Sequence, residues 1–184
     1  MSQVNDYIQR LDACPLGSAG WVQFENLCTE ILTFLFVPPL VASQRQAKTY
    51  SGINRRDAIF PNRNITPNGV DNSKNWYHLF QELSARMVLF EFKNYDVTEI
   101  STGEVNQTLN YLTNPMGRLA ILVCSKMPDN SAHIRRNTIY SNDQKVILFM
   151  TKEHLKEMLA MKDRNEDPSD LIIDLLELFY IQHE

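Results

Sequence analysis

Two charged side chains stand two residues apart at the end of an apolar run, Met87-Val88-Leu89-Phe90-Glu91-Phe92-Lys93. Side chains alternate faces along a strand, so Glu91 and Lys93 share a face with Met87 and Leu89, opposite Val88, Phe90 and Phe92. A strand apolar on both faces is sandwiched between layers, where charge is costly unless it is paired or binds something. A carboxylate that holds a divalent cation, next to an ammonium that offsets negative charge, is half of a metal-dependent phosphodiesterase site. Asp57, on an earlier strand, offers a second carboxylate, and the Phe92 carbonyl a further metal ligand. Lys93 would then sit near the attacking water and stabilise developing charge. Glu25, on a long apolar helix, is a candidate carboxylate for an outer shell or a second metal. Gln107 and Tyr111 are four residues apart, one helical turn, so both can face the same phosphate.

Each of these residues also has a plainer use. Glu91 and Lys93 suit a structural ion pair at a strand end, and Asp57 suits a turn or a pairing with Arg55. Glu25 fits the solvent face of its helix, and Gln107 and Tyr111 fit helix packing. The agreement of order, spacing and element type favours the joint reading.

These positions need a frame. Apolar spacing from Gly20 to Phe36, through Trp21, Phe24, Leu27, Cys28, Ile31, Leu32 and Leu35, predicts a helix. Ser18 is its expected cap and Pro38-Pro39 its stop. A short helix around Tyr7–Leu11 precedes it, and an irregular strand over about 40–50 follows. Strands are predicted at Arg55–Phe60, Met87–Asn94, Arg118–Cys124 and Lys145–Met150. Helices are predicted at Trp76–Ala85, Glu104–Leu112, His133–Tyr140, Glu153–Met161 and Asp170–Ile181. Residues 62–75, rich in Asn, Pro and Gly, read as a loop. Strands alternating with helices imply an α/β fold with a mixed central sheet, and the 184 residues show no domain boundary or repeat.

The composition sets bounds. No apolar run reaches the length of a bilayer span, and the first residues lack the basic and apolar regions of a signal peptide. Three cysteines without metal-ligand spacing point to a reducing, cytoplasmic setting. The net charge of −4 is concentrated: residues 163–184 hold seven acids against one Arg, which leaves residues 1–162 at +2. Arg45, Lys48, Arg55, Arg56 and Arg63 cluster around Asp57, a stripe that suits phosphate or a merely solvated loop. Arg135-Arg136 suits a phosphate contact or, more simply, a solvated helix face, and His78, His133, His154 and His183 read as scattered surface or core histidines.

On these residues the chain resembles the PD-(D/E)xK superfamily, the restriction-endonuclease-like nucleases. Glu91-Phe92-Lys93 matches the carboxylate-x-Lys element and Asp57 the upstream metal-binding Asp. Gly20-Trp21-Val22-Gln23-Phe24-Glu25 is similar to the Gly-x-x-Phe-Glu helix of the Mrr-like branch. Gln107-Thr108-Leu109-Asn110-Tyr111 is similar to the Gln-x-x-x-Tyr element of RecB-like nucleases. The resemblance covers about 20–160; Arg56 stands where the family name has Pro, and the tail after Arg164 has no counterpart in the family core. It implies a restriction-endonuclease-like sheet flanked by helices in one nuclease domain over 1–184. It also implies a Mg²⁺-dependent endonuclease, with Mn²⁺ as a substitute, cutting DNA in preference to RNA. Asp57, Glu91 and the Phe92 carbonyl would hold the metal, and Lys93, Glu25 and Gln107 would serve catalysis. Arg55, Arg56, Lys48 and Tyr111 would bind substrate. Such domains resemble restriction or antiphage-defence effectors. An RNase with the same site, and a module that binds or assembles without cutting, stay open.

The last helix carries a separate expectation. Over 170–181 the polar residues Asp170, Asp174 and Glu177 form one thin stripe, and the rest is almost entirely apolar. With a core already built on the sheet, this helix is expected to bury itself against a second copy of the chain or a partner protein. The alternative is that it folds back into a groove of its own domain, as terminal helices commonly do.

Overall fold

The computed structural model describes residues 2–48, 55–64 and 74–183, and of residues 44–48 and 55 it describes the backbone alone. The side chains of Arg45, Lys48 and Arg55, and most of the expected loop 62–75, lie outside the described residues.

Among the described residues five strands form one mixed sheet whose spatial order follows the chain: β1 (Gln44–Lys48), β2 (Arg55–Pro61), β3 (Met87–Lys93), β4 (Leu119–Cys124) and β5 (Val146–Thr151). β1, β2 and β3 run antiparallel to their neighbours; β3, β4 and β5 run parallel. Parallel neighbours need crossovers, which α4 (Thr102–Tyr111) and α5 (Asn130–Asp143) supply. β3 is thus where the sheet changes character.

Alternation along β3 sorts the core into two layers. Val88, Phe90 and Phe92 join one cluster, with α1 (Gln3–Ala13), α2 (Trp21–Phe36), α3 (Lys74–Leu83) and α6 (Lys152–Asp163) packed over it. Leu89 belongs to the other, with Val105 and Tyr111 of α4 and Ala132 and Ile139 of α5. Phe60 and Phe90 meet edge-on at 5.4 Å inside the first layer. Every residue of β4 is buried, as a strand covered on both faces requires.

Two expectations need correction. Ser18 does not cap α2. It lies in a short 3-10 turn, Gly17–Ala19, and the helix starts after Gly20. A Cβ on Gly20 would stand 1.9 Å from the Pro15 carbonyl oxygen, so this close approach excludes any larger residue. The terminal helix α7 (Asp170–Ile181) folds back on its own chain, with Ile172, Leu176 and Phe179 buried in the first layer. Tyr180 donates to Glu82 on α3 at 2.6 Å, and Asn75 donates to Ser169 and Asp170 at the start of α7. α7 packs against β5, as α6 also does. Leu178 and Ile181 stay exposed.

Among the described residues no helix is long and apolar enough to cross a membrane. Cys14, Cys28 and Cys124 are free thiols, all buried.

Candidate active site

The C-terminal end of β3 opens into a cleft of about 640 Å³ lined by Asp57, Glu91, Lys93, Asn94, Gln107 and Tyr111, among others. Ligands of open α/β sheets commonly bind at the carboxyl ends of strands. The β2–β3 ladder pairs Ala58 with Phe90, and Asp57 lies one residue beyond that pair. There its Oδ2 accepts from the Phe92 backbone N–H at 2.9 Å, where a β2 carbonyl would otherwise serve. A strand residue turns its N–H and C=O to the same side, so the Phe92 carbonyl faces Asp57 as well.

Glu91 is 2% exposed, and its Oε1 accepts from Lys93 Nζ at 3.0 Å. Its other oxygen, Oε2, is buried and has no hydrogen-bond partner among the described residues. Lys93 Nζ also donates to Gln107 Oε1 at 2.9 Å, and Gln107 Nε2 donates to the Tyr111 hydroxyl at 2.8 Å. These contacts join Glu91, Lys93, Gln107 and Tyr111 into one chain of hydrogen bonds. α4 is aimed by its start: Ser101 and Glu104 form a capping box, and the second Glu104 oxygen accepts from the Tyr95 hydroxyl at 3.0 Å. Tyr95 follows β3 by two residues, so this bond ties α4 to the strand end and sets Gln107 one turn further along.

The electrostatics match the geometry. Burial raises the Glu91 pKa to about 7, aided by the charge of Asp57 and opposed by Lys93. Burial works to lower the Lys93 pKa, but Glu91 and Asp57 outweigh it and hold the ammonium above its ordinary value. The site is a buried carboxylate reluctant to ionise beside a lysine held charged. A hard cation fits this donor set, because it would engage the unpartnered Glu91 Oε2 and favour the ionised form. Among the described residues no three His, Cys, Asp or Glu side chains gather into a metal-binding group. The protein ligands on offer are two carboxylates and a carbonyl, a sparse set of the kind Mg²⁺ completes with water and substrate oxygens.

Not every expected residue reaches the cleft. Glu25 is buried on α2, whose apolar residues pack on the sheet face opposite Leu89, and it does not line the cleft. Arg56 is 9% exposed, and its guanidinium donates to the Tyr111 carbonyl at 3.2 and 3.3 Å and to Thr113 Oγ1 at 3.4 Å. It secures the C-terminal end of α4, a use different from the phosphate contact expected of it. Arg63 follows β2 at the end away from Asp57, two residues past the last strand residue, Pro61. The basic stripe is therefore split along the sheet.

Three residues join the site without having been expected there. Asn94 donates from Nδ2 to the Pro15 carbonyl at 2.8 Å, while its Oδ1 is buried without a hydrogen-bond partner among the described residues. Tyr95 carries the bond to Glu104. Trp21, counted in the apolar stripe of α2, is 46% exposed and forms part of the cleft rim. The only sequence signal for Asn94 and Tyr95 is their position directly after Lys93, because their partners lie elsewhere in the chain.

No model of a known protein family matches the chain. It is similar to the "Putative transposon gamma-delta 80.3 kDa protein" of Escherichia coli (strain K12), with 25% identity over 171 residues. That alignment covers 88% of this chain and 22% of the relative, so the chain spans about a fifth of that protein's length.

Proposed function

We propose that the cleft is the active site of a divalent-metal-dependent endonuclease with a restriction-endonuclease-like fold, acting on DNA. The observation that carries this reading is the convergence of Asp57, Glu91, Lys93 and Gln107 on one cleft, with Glu91 Oε2 buried and unpartnered. Asp57, Glu91 and the Phe92 carbonyl would hold Mg²⁺, with Mn²⁺ as a substitute. When bound, the cation supplies Lewis-acid stabilisation of charge on the phosphoryl oxygens. The Lys93 ammonium, oriented by Glu91 and Gln107, offsets negative charge as the phosphate is attacked. Tyr111 fixes the Gln107 amide, which keeps that ammonium aimed. The exposed ring of Trp21 offers an unpaired base a stacking surface at the rim. A mobile DNA element in the relative's name favours DNA over RNA.

A second reading is a module that binds nucleic acid without cutting. One assay separates the two. Plasmid, single-stranded DNA and RNA are incubated with Mg²⁺ or Mn²⁺ beside Lys93→Ala. Metal-dependent cleavage of DNA is expected, with Lys93→Ala slower by about 10²–10³ in single turnover, as for loss of one preorganised stabilising group. Metal binding should persist in Lys93→Ala and weaken in Asp57→Ala and Glu91→Ala. Binding without cleavage of any substrate would establish the second reading.

A further inference from the structure

A second cavity lies beyond the far edge of the sheet, between α5, α6 and α7. It measures about 220 Å³, and Arg136 on α5 contributes to its lining. Arg136 is 8% exposed, and among the described residues its guanidinium makes no hydrogen bond or ion pair. Its Nε is buried and has no hydrogen-bond partner among the described residues. The guanidinium is flanked by two rings instead, 4.6 Å from the centre of Phe149 and 5.1 Å from that of Phe179. Ring faces recover part of the cost of burying a cation, but they accept no N–H···O hydrogen bond. An arginine buried to this degree normally faces an anion.

The other polar groups of the cavity are suited to donate. The Thr151 backbone N–H donates to His154 Nδ1 at 3.0 Å, which places the proton of the neutral ring on Nε2. Burial lowers the His154 pKa and so favours the neutral ring. Gln182 adds an amide, and His133, held edge-on to Phe149 at 5.1 Å, completes the polar lining. Among the described residues no Asp or Glu lines the cavity. The remaining wall is apolar, formed by Met127, Leu175 and Leu178 with the two phenylalanines, and Met127 and Leu178 are exposed at 57% and 47%.

We infer that this cavity binds a carboxylate carried on an apolar body. The planar guanidinium fork matches a carboxylate in geometry and in charge. A dianionic phosphate would bring a second charge that a lone cation among neutral histidines leaves uncompensated. The apolar wall and the small volume admit a compact hydrocarbon or aromatic group behind the carboxylate. Such a group can belong to a small organic acid or to an acidic residue of a second copy of the chain.

Benzoate is the probe, with benzamide as its uncharged isostere and inorganic phosphate as a second control. Full-length protein is titrated with each and followed by amide and side-chain NMR shifts of Phe149, His154, Leu178 and Phe179. Saturable benzoate binding at these residues is expected, at least tenfold tighter than benzamide or phosphate and lost in Arg136→Met. Equal responses to benzoate and benzamide, or benzoate binding that survives Arg136→Met, would overturn the inference. If that variant fails to fold, the wild-type titration decides alone, since shifts elsewhere or none at all refute the site. Sedimentation over a range of concentration then separates the sources. Self-association competed away by benzoate assigns the carboxylate to a second copy, whereas a monomer that binds benzoate assigns it to a small acid.

Discussion

At the scale of single residues, the unpartnered oxygen of Glu91 governs how the protein responds to pH. The Glu91 pKa is raised by burial from 4.5 to about 7, so the folded state holds a proton that the unfolded chain releases earlier. The associated stability is complete below the unfolded value and lost as pH rises through about 7. At 1.36 kcal/mol per unit the change amounts to roughly 3 kcal/mol. In chelator, denaturant unfolding should show wild type weaker at pH 8 than at pH 5, with a flatter profile for Glu91→Gln. Parallel profiles would mean that Glu91 ionises at its ordinary value. Arg56 makes the contrasting case. Arg56→Ala strips the Tyr111 carbonyl of a charged donor, a loss of about 1.5–3 kcal/mol. The salt dependence of DNA binding should stay unchanged. A slope smaller by about 0.9 with full stability would restore Arg56 to the phosphate surface.

At the scale of elements, periodicity made the helices and strands legible. Met87–Lys93 and Leu119–Cys124 are apolar on both faces, and the α2 and α4 patterns repeat at helical spacing. Gln107 and Tyr111 were legible together because their relation is local, one turn of one helix. What escaped was whatever depends on a distant partner. Nothing near Arg56 announces the Tyr111 carbonyl, 55 positions away, and nothing near Asn94 announces Pro15, 79 positions away. Arg136 reads as a phosphate contact or a solvated helix face, yet Phe149 and Phe179 enclose it. The α7 pattern correctly demanded burial but could not name the surface. Ile172, Leu176 and Phe179 each contribute about 1.5–3 kcal/mol by burial, together comparable to the whole stability of an ordinary domain. Ending the chain after Glu166 should therefore abolish cooperative unfolding. A folded product with an intact melting transition would show α7 to be dispensable and return it to an intermolecular role.

For the molecule as a whole, the proposed site lies across a seam. Asp57 comes from the antiparallel half of the sheet, Lys93 from the strand shared by both halves, and Gln107 from the crossover to the parallel half. Beyond the Ala58–Phe90 pair, the Asp57 carboxylate carries the contact between β2 and β3 by accepting the Phe92 N–H. That arrangement builds a spectroscopic reporter into the backbone. A cation drawing on Asp57 must withdraw electron density from the oxygen that the Phe92 proton faces, so the Phe92 amide resonance should track occupancy. Titration with Mg²⁺ is expected to move that resonance along a saturating curve, and Asp57→Asn to silence it. A Phe92 signal that stays still while Glu91 and Lys93 respond would place the cation on Glu91 without Asp57, and the two halves of the sheet would then be joined there by the hydrogen bond alone.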